Sequence, residues 1–403
     1  AETVVAPSPR AKPEAATVAA APTPLFAIRE LGDAALVEAS KRHLWALSRD
    51  EMLAIQTHFR SLGRDPRIAE MEVLAQTWSE HCKHKIFRGT IHYREDLSAA
   101  PGFRPLGQIP ATTRSLFKST IKAATDASPK AWLLSVFSDN AGIVAFTAED
   151  AVCIKVETHN SPSAIDPFAG AITGIGGVHR DIIGTGYGAK PIFNLDAFCV
   201  APAKFDADRP DGIFPPSRVL EGVRAGVEAG GNPAGIPTIA GALVYDESYL
   251  GKPLVFCGSG GVLPRRLSAP VYSGEARDCA AKEIVPGDAI VMVGGRIGRD
   301  GIHSSLAMDA SDTGLGSVVQ LGDPFTQKRA LDFLLVARDR GLYRTLTDNG
   351  AGGLSSSVGE LATLSNGARL DLTYAPLKAT DLRPEEILVS ESQERMSLAV
   401  PAS

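Results

Sequence analysis

The first part of the chain carries apolar residues at the spacing of amphipathic helices. One helix is predicted from Ser48, which forms a capping box with Glu51, to a stop at Gly63. A second helix is predicted to start at Pro66 and to carry the polar segment WSEHCKHK at its end. We therefore expect a helical region before the first strands.

Further along, short apolar runs predict strands, and they alternate with glycine-rich loops and helices. A helix capped by Ser217 lies among the first runs, and a stretch rich in Pro, Ser and charge, 264–287, predicts a domain boundary. Beyond it the pattern predicts a strand, a helix from Asp323 to Gly341, a strand before Asp348 and a last strand in MSLAV. The first strand runs are residues 132–137, 143–146, 152–156, 192–200, 236–244 and 253–257, the last two predicted to be buried.

These patterns predict an α/β (α+β) fold of several segments. The first residues are rich in Ala and Pro and lack the continuous apolar core of a signal peptide, so they are predicted to be a disordered tail or linker. Because the chain begins with Ala, we expect a segment before it. The predicted segments are a tail at 1–30, a helical linker region at 31–80, an amino-terminal domain at 81–265 and a carboxy-terminal domain at 285–403.

Composition narrows the class of protein. The 403 residues carry 41 basic and 46 acidic side chains, a net charge of −5, so neither nucleic acid nor an anionic membrane is expected as a partner. No run approaches the ~20 apolar residues that span a bilayer. The five cysteines are scattered without a C-x-x-C pair, which favours reduced thiols and a cytoplasmic protein.

The candidate chemistry concentrates in residues 153–190. A short strand leads into Lys155, Glu157 and His159, which share one face if the strand continues through them. Lys155 suits a phosphate group, and Glu157 and Asp181 are hard oxygen ligands that suit magnesium. The glycines that follow are predicted to let the backbone approach an anion. The stretch matches neither the P-loop nor the G-x-G-x-x-G fingerprint.

Each of these features also has an ordinary structural explanation. Glycine-rich stretches form turns, charged residues at strand ends are solvated, and Asp348 before Asn-Gly is common turn chemistry. In WSEHCKHK, His81 either performs acid–base catalysis or sits with His84 at a helix end, and zinc would need further ligands nearby. The clustering in residues 153–190 favours a phosphate and metal site there, because unpaired buried charges are costly.

Several motifs, taken in order, resemble the family of phosphoribosylformylglycinamidine synthase, specifically its amino-terminal half. They are AQTWSEHCKHK, KVETHNSPSAIDP, TGIGGVHRD, GTGYGAKP, GGRIGRDGIH, VQLGDPF, TDNGAGGLSSS and SESQERM. The resemblance covers about residues 66–400 and implies two domains like those of aminoimidazole ribonucleotide synthetase. In that fold two amino-terminal domains pair through their sheets into a barrel, so the remaining half is expected in a missing segment, a separate chain or a homodimer.

The resemblance also implies roles for individual residues. By this resemblance, His81 and His159 are expected to be catalytic, and Lys155 and His84 are expected to contact ATP. Glu157, Asp181 and Asp348 are expected to bind magnesium. Contacts to formylglycinamide ribonucleotide fall on Thr158, Asn160, Ser161, Arg180, Gln320, Glu391, Ser392 and Gln393.

Two positions depart from the family pattern. The family usually has a second histidine where this chain has Ser161, and the small forms usually have an aromatic residue where it has His84. Ser161 can form a hydrogen bond but does not titrate near neutral pH, so a rate that depends on that histidine would be lowered.

The implied reaction is ATP-dependent conversion of formylglycinamide ribonucleotide to its amidine, with ammonia from glutamine. We find no glutaminase arrangement of Cys, His and Glu in the chain, so a glutaminase subunit and a small accessory subunit are expected partners. Two alternatives remain. The chain could be a non-catalytic half that binds nucleotide and stabilises the assembly, or another ATP-dependent member of the aminoimidazole ribonucleotide synthetase superfamily.

Overall fold

The computed structural model describes residues 23–94, 111–268, 272, 274–302, 319 and 321–402. The predicted tail at 1–30 therefore lies largely outside the described residues, as does Gln320.

The described chain begins with helices packed around one apolar core. The capping box of Ser48 and Glu51 is present, as predicted, and the following turn contains Gly63 with φ +66°. The next helix starts at Ile68, two residues later than predicted, and it ends before WSEHCKHK. That segment forms two separate short helices, because Ser79 accepts a hydrogen bond from the backbone N–H of Cys82 and caps a new turn. These helices are α1 (Asp33–Arg42), α2 (Arg49–Ser61), α3 (Ile68–Thr77), α4 (Glu80–Lys83) and α5 (Lys85–Arg88).

The amino-terminal domain is a six-stranded sheet with helices on one face. The strand order is β3-β4-β5-β8-β6-β7, and every pair is antiparallel except β6 with β7. The strands are β3 (Leu133–Ser135), β4 (Gly142–Ala145), β5 (Asp150–Thr158), β6 (Lys190–Val200), β7 (Thr238–Tyr245) and β8 (Leu254–Pro264). A separate pair, β1 (Thr90–His92) and β2 (Thr112–Arg114), precedes them, with a π-helix (Phe117–Lys122) and α6 (Ala123–Asp126). The covering helices are α7 (Asn160–Ile165), α8 (Pro167–Gly184) and α9 (Pro216–Gly231), and 3₁₀ turns occur at Ala203–Phe205 and Glu247–Tyr249.

Helix α8 corrects the prediction of a glycine-rich phosphate loop. It is an 18-residue helix that starts with Pro167 and is capped by Asp166, so the N–H groups of its interior belong to the helix. Its glycines serve packing instead. A Cβ at Gly174 would lie 2.7 Å from Cys257 Sγ on β8, so the helix lies closer to the sheet than alanine would allow.

The opposite face of the sheet is open. Ile154 and Val156 on β5 are about half exposed, while their neighbour Cys153 is buried under the helices. All eight residues of β7 are exposed, so the prediction of a buried strand at 236–244 is wrong. Apolar content does not predict burial here, because β7 is an edge strand and no described residue packs over it.

The carboxy-terminal domain packs three antiparallel strands against helices. Its sheet order is β11-β13-β12, and a buried cluster that includes Tyr187, Leu334 and Leu346 joins the two domains. Tyr343 donates a hydrogen bond to the Tyr187 carbonyl at 2.8 Å across this interface. The elements are β9 (Arg266–Leu267), β10 (Arg277–Asp278), β11 (Ala289–Gly294), α10 (Pro324–Asp339), β12 (Thr345–Asp348), α11 (Gly353–Thr363), a 3₁₀ turn (Leu372–Tyr374), α12 (Pro384–Val389) and β13 (Arg395–Val400).

The two-domain α/β fold agrees with the predicted fold class. Among the described helices none is both long and apolar enough to cross a bilayer.

The helical region contacts the carboxy-terminal domain through α3 and α12. On α3, Glu72 accepts a hydrogen bond from the Trp45 indole N–H at 2.9 Å, and Glu385 on α12 is buried. Burial raises the pKa of Glu72 to about 7, with the Trp45 hydrogen bond opposing the rise and the charge of Glu385 adding to it. This interface therefore contains a carboxyl group that is protonated in the fold at mildly acidic pH.

Replacing Glu72 with Gln is expected to reduce the pH dependence of stability. The raised pKa of the wild-type carboxyl stabilises the fold below about 4.5, its unfolded value, and this contribution is lost as pH rises through about 7. At about pH 8.5, urea unfolding should show Glu72→Gln more stable than wild type by on the order of 1–3 kcal/mol, with little difference at about pH 4. Glu38→Gln, on the exposed face of α1, is the control. Parallel pH profiles for wild type and Glu72→Gln would contradict the raised pKa.

Replacing Gly174 with Ala tests the close packing of α8. The new Cβ would meet the buried Cys257 at 2.7 Å, so we expect the free energy of unfolding to fall by about 1–3 kcal/mol despite better helix propensity. The matched control is Gly359→Ala on α11, which has open space around it and should gain up to about 1 kcal/mol. Chemical denaturation measures both, and equal gains in the two variants would refute the packing argument.

Candidate active site between the two domains

Strand β5 and helix α8 bring the predicted phosphate and metal residues together. Lys155 and Glu157 lie on the face of β5 that the helices cover, and His159 follows the strand directly. Lys155 Nζ lies 3.3 Å from Asp181 Oδ2 on α8 and 3.9 Å from Glu157 Oε1. His159 Nε2 lies 3.5 Å from Glu157 Oε2. The predicted strand was thus correct in kind and two residues short at each end.

Two glycines in α8 make room for this group. A Cβ at Gly177 would lie 2.7 Å from Glu157 Oε2, and one at Gly174 would lie 3.3 Å from the His159 ring. The absence of side chains along this stripe of α8 therefore lets Glu157 and His159 fit between sheet and helix. The glycines do contribute to the site, although not as anion-binding backbone.

The second domain adds a carboxylate from the end of β12. Asn140, in the loop between β3 and β4, donates from Nδ2 to Asp181 Oδ1 at 3.1 Å and to Asp348 Oδ1 at 2.8 Å. Arg180 Nε lies 3.8 Å from Asp348 Oδ2. The two aspartates from different domains thus share one amide group.

Burial and neighbouring charges shift the pKa values of Asp181, Glu157 and Lys155 in this group. Burial raises the pKa of Asp181 well above its usual range, and the nearby carboxylates of Glu157 and Asp348 raise it further. Burial also acts to raise the pKa of Glu157, but hydrogen bonds with His159 and Asp181 and the positive charges of His159 and Lys155 together outweigh it, and the pKa of Glu157 is lowered. The pKa of Lys155 is raised by Asp181 and Glu157, against the effect of burial.

The donor set of this group fits a hard divalent cation. Asp181 Oδ2 is buried and accepts no hydrogen bond in the described structure, although Lys155 Nζ is near enough for an ion pair. A cation would relieve the mutual repulsion of the carboxylates. Among the described residues no three His, Cys, Asp or Glu side chains already stand close enough together to hold an ion.

Predicted substrate residues lie beside this group at the start of β13. Buried Arg180 donates through Nη1 to Gln393 Oε1 and, at 3.4 Å, to Gln327 Oε1 on α10. Ser392 lies in the same turn, where its hydroxyl donates to Asp300 and accepts from the Gly298 N–H at 2.8 Å. The Arg180–Gln393 contact holds the turn before β13 against the amino-terminal domain, and the Ser392 contacts fix the turn within the carboxy-terminal domain.

The other predicted substrate residues follow β5. Asn160 Oδ1 accepts from the Val255 N–H at 2.9 Å, so part of its role is to fix the chain after the strand. Ser161 is buried, and its hydroxyl has no hydrogen-bond partner within the described structure. Thr158, the last residue of β5, is exposed.

His81 belongs to a second group at the helical region. Its Nδ1 lies 4.0 Å from Glu391 Oε1, which also accepts from Gln76 Nε2 and the Gly352 N–H, both at 3.0 Å. His84 lies apart: it is exposed at the junction of α4 and α5, with φ +52°, and forms no ion pair with any carboxylate of the described residues. The structure therefore brings most predicted residues to the domain interface and leaves His84 outside both groups.

Three residues of these groups were not predicted from the sequence: Asn140, Gln76 and Gln327. Each contacts a residue far away in the chain, and an amide side chain carries no charge or motif that singles it out. Only the position of Asn140 before a strand, in SDNAG, could have drawn attention to it.

Three family models match consecutive parts of the chain. Residues 36–85 match the formylglycinamide ribonucleotide amidotransferase linker domain. Residues 138–263 match the N-terminal domain of AIR synthase related proteins, and residues 285–403 match their C-terminal domain.

Several proteins with similar sequence or structure are called PurL. Phosphoribosylformylglycinamidine synthase subunit PurL of Thermoplasma acidophilum is 36% identical over 377 residues, covering 92% of this chain and 44% of that protein. PurL of T. maritima solved in complex with FGAR has a TM-score of 0.63 and 29% identity, covering 86% of this chain and 48% of the other. The same protein in complex with ATP has a TM-score of 0.60, covering 86% and 46%. The chain spans less than half the length of these relatives, and it belongs to the phosphoribosylformylglycinamidine synthase PurL family of AIR synthase related proteins.

Proposed function

We propose that this chain is the part of a phosphoribosylformylglycinamidine synthase that uses ATP to convert formylglycinamide ribonucleotide into its amidine. The observation that carries the proposal is the grouping of Lys155, Glu157, Asp181 and His159 with Asp348 from the other domain. Phosphoryl transfer needs a cation on the chain, carboxylates for magnesium and a group that moves protons, and this group supplies all three. The T. maritima complexes with ATP and FGAR support the same choice of ligands.

In the proposed first step, the amide oxygen of the substrate attacks the γ-phosphorus of ATP, and the bond to the ADP oxygen breaks. An amide oxygen is a poor leaving group, and phosphorylation converts it into a good one. Lys155 would hold the transferring phosphoryl group, and Glu157, Asp181 and Asp348 would hold magnesium. The bound magnesium would stabilise negative charge on the phosphates.

In the proposed second step, ammonia attacks the activated carbon, phosphate leaves and a proton is removed. His159 is the proposed base. Its Nε2 lies toward Glu157, and its Nδ1 is buried without a hydrogen-bond partner in the described structure, so one ring nitrogen is oriented while the other is available for a proton. His81 is a second proposed catalytic residue, oriented by Glu391.

Substrate recognition is proposed for residues on both sides of the domain interface. Arg180 and Gln393 already contact each other there, and a phosphate or amide of the ribonucleotide could engage the same donors. Ser392, Glu391, Thr158, Asn160, Ser161 and Gln320 complete the proposed set, and His84 is proposed to contact ATP.

The missing half and the ammonia source are proposed partners. The open face of the sheet and the fully exposed edge strand β7 support pairing with the sheet of a second synthetase half, because exposed edges and apolar patches of this kind are normally covered. Ammonia is proposed to come from a glutaminase subunit, with a small accessory subunit. The five cysteines, all within the described residues, form no disulfide, which supports a reducing, cytoplasmic setting.

Replacing His159 with Ala in the enzyme assembled with its missing half should lower amidine formation by about 100-fold or more while ATP binding stays within about twofold of wild type. The loss follows from removal of the proton acceptor. Turnover assays and nucleotide titrations measure the two effects. The control is His58→Ala, exposed on α2. Full turnover in His159→Ala would refute the assignment.

Equilibrium binding of formylglycinamide ribonucleotide to the wild-type chain separates this proposal from a structural role. A non-catalytic half should bind nucleotide and no ribonucleotide substrate.

Replacing Val244 with Asp should weaken association through the sheet. Val244 is exposed on β7, and a buried charge in a sheet interface is costly. Sedimentation velocity should show a dissociation constant higher by on the order of tenfold or more for the variant, with the isolated chain or with its second half as partner. The control is Val336→Asp, equally exposed on α10. Unchanged association of Val244→Asp would place the partner elsewhere.

A further inference from the structure

We propose that Asn140 is a positioning residue that gathers the carboxylates of Asp181 and Asp348, one from each domain, into a single cation site. The inference rests on the proposed function, because that function supplies the cation.

The geometry uses every polar atom of the side chain. Its amide nitrogen has two hydrogens and two acceptors, Asp181 Oδ1 at 3.1 Å and Asp348 Oδ1 at 2.8 Å. Its oxygen accepts from the Thr347 hydroxyl at 3.3 Å, beside Asp348 on β12. Its main-chain oxygen accepts from Lys155 Nζ at 3.2 Å. Asn140 therefore contacts both carboxylates and the only lysine of the group in the described structure.

A neutral donor is the chemistry that this position requires. Two buried carboxylates repel each other, and a hydrogen-bond donor between them lowers that repulsion without adding a charge that would repel a cation. Asn140 donates a hydrogen bond to the Oδ1 atom of each aspartate. Within the described structure Asp181 Oδ2 accepts no hydrogen bond and lies 3.3 Å from Lys155 Nζ, so this oxygen faces positive charge and could pass from the lysine to a bound cation.

The loop that carries Asn140 is itself fixed at the domain interface. Asp139 Oδ1 forms an ion pair with Lys282 Nζ at 2.5 Å, and Asp139 Oδ2 accepts from the Gly186 N–H at 2.7 Å. Lys282 also donates to the carbonyls of Gly184 and Leu346 at 2.8 and 3.0 Å. Asp139 and Lys282 thereby hold the loop against the end of α8 and against β12, the two elements that carry the aspartates.

The end of α8 leaves space for the amide group. A Cβ at Gly184 would lie 3.0 Å from Asn140 Nδ2 and 3.1 Å from its Cγ, so a larger residue there would displace the side chain. The position of Asn140 is therefore set by α8, by β12 and by the ion pair of Asp139 with Lys282. These contacts hold its amide in place before any cation binds.

Manganese binding followed by electron paramagnetic resonance tests the proposal without depending on turnover. Asn140→Ala removes the donor and lets the carboxylates separate, so the dissociation constant for Mn²⁺ should rise by on the order of tenfold to a hundredfold. Asn140→Asp keeps the shape and adds a charge. It should melt below wild type without metal, and added Mn²⁺ should raise its melting temperature more than that of wild type. Asn232→Ala, exposed at the end of α9, should match wild type in both measurements.

Unchanged or tighter Mn²⁺ binding by Asn140→Ala would overturn the proposal, and so would an Asn140→Asp variant that melts like wild type without metal. Wild-type protein that binds no Mn²⁺ would instead contradict the proposed function. Amide hydrogen exchange without metal then tests whether Asn140 holds the two domains together at Asp181 and Asp348. Asn140→Ala should exchange faster than wild type at β12 and at the end of α8, and equal rates would overturn the positioning role of Asn140 as well.

Discussion

Like charges held between two domains are the constraint on which the rest of this structure depends. Asp181 is buried, and the carboxylates of Glu157 and Asp348 lie close enough to add to the rise that burial causes in its pKa. Carboxylates in such a position destabilise a fold unless cations or donors compensate them. Lys155 and Arg180 supply positive charge, and Asn140 supplies neutral hydrogen bonds. A site built this way holds repulsion that a bound cation would relieve, so cation binding would stabilise the contact between the two domains.

The same constraint explains the unusual sequence of α8. A helix that must lie against β8, leave room for Glu157 and still deliver Arg180 and Asp181 cannot carry side chains at Gly174 and Gly177, where it approaches Cys257 and Glu157. Glycine lowers helix propensity by about 1 kcal/mol per residue, so isolated propensity opposes this helix. Burial of its other residues between sheet and α9 outweighs that cost.

Features that depend on a few neighbouring residues can be predicted from the sequence, whereas features that depend on tertiary packing cannot. Local signals were sufficient for the capping box at Ser48, for β5 and for the type of each domain, because they act within a few residues. Helix α8 was misinterpreted as a loop because its stability comes from tertiary packing. Strand β7 was expected to be buried because apolar content does not reveal whether a strand lies at an edge.

Some residues of the candidate site can be identified from the sequence, and others cannot. Lys155, Glu157 and Asp181 could be selected from residue type and order, since charges beside a strand and glycines form a recognisable pattern. Asn140 and Gln76 could not, because their partners lie 208 and 315 residues away in the chain. Neutral amides acquire meaning only when the fold places charged groups around them, so a sequence pattern finds the charges and misses the residues that orient them.

Strand β5 connects the open face of the sheet to the chemistry. Lys155 and Glu157 point to the helices and the site, while Ile154 and Val156 point to the open face. A shift of one residue in the register of β5 against β8 would exchange these two sets of side chains. Any partner sheet that covers Ile154 and Val156 therefore also fixes the strand that carries the site. Pairing with β4 and β8 already sets the register of β5 within this chain. Assembly through the open face and chemistry at the candidate site would then share one strand.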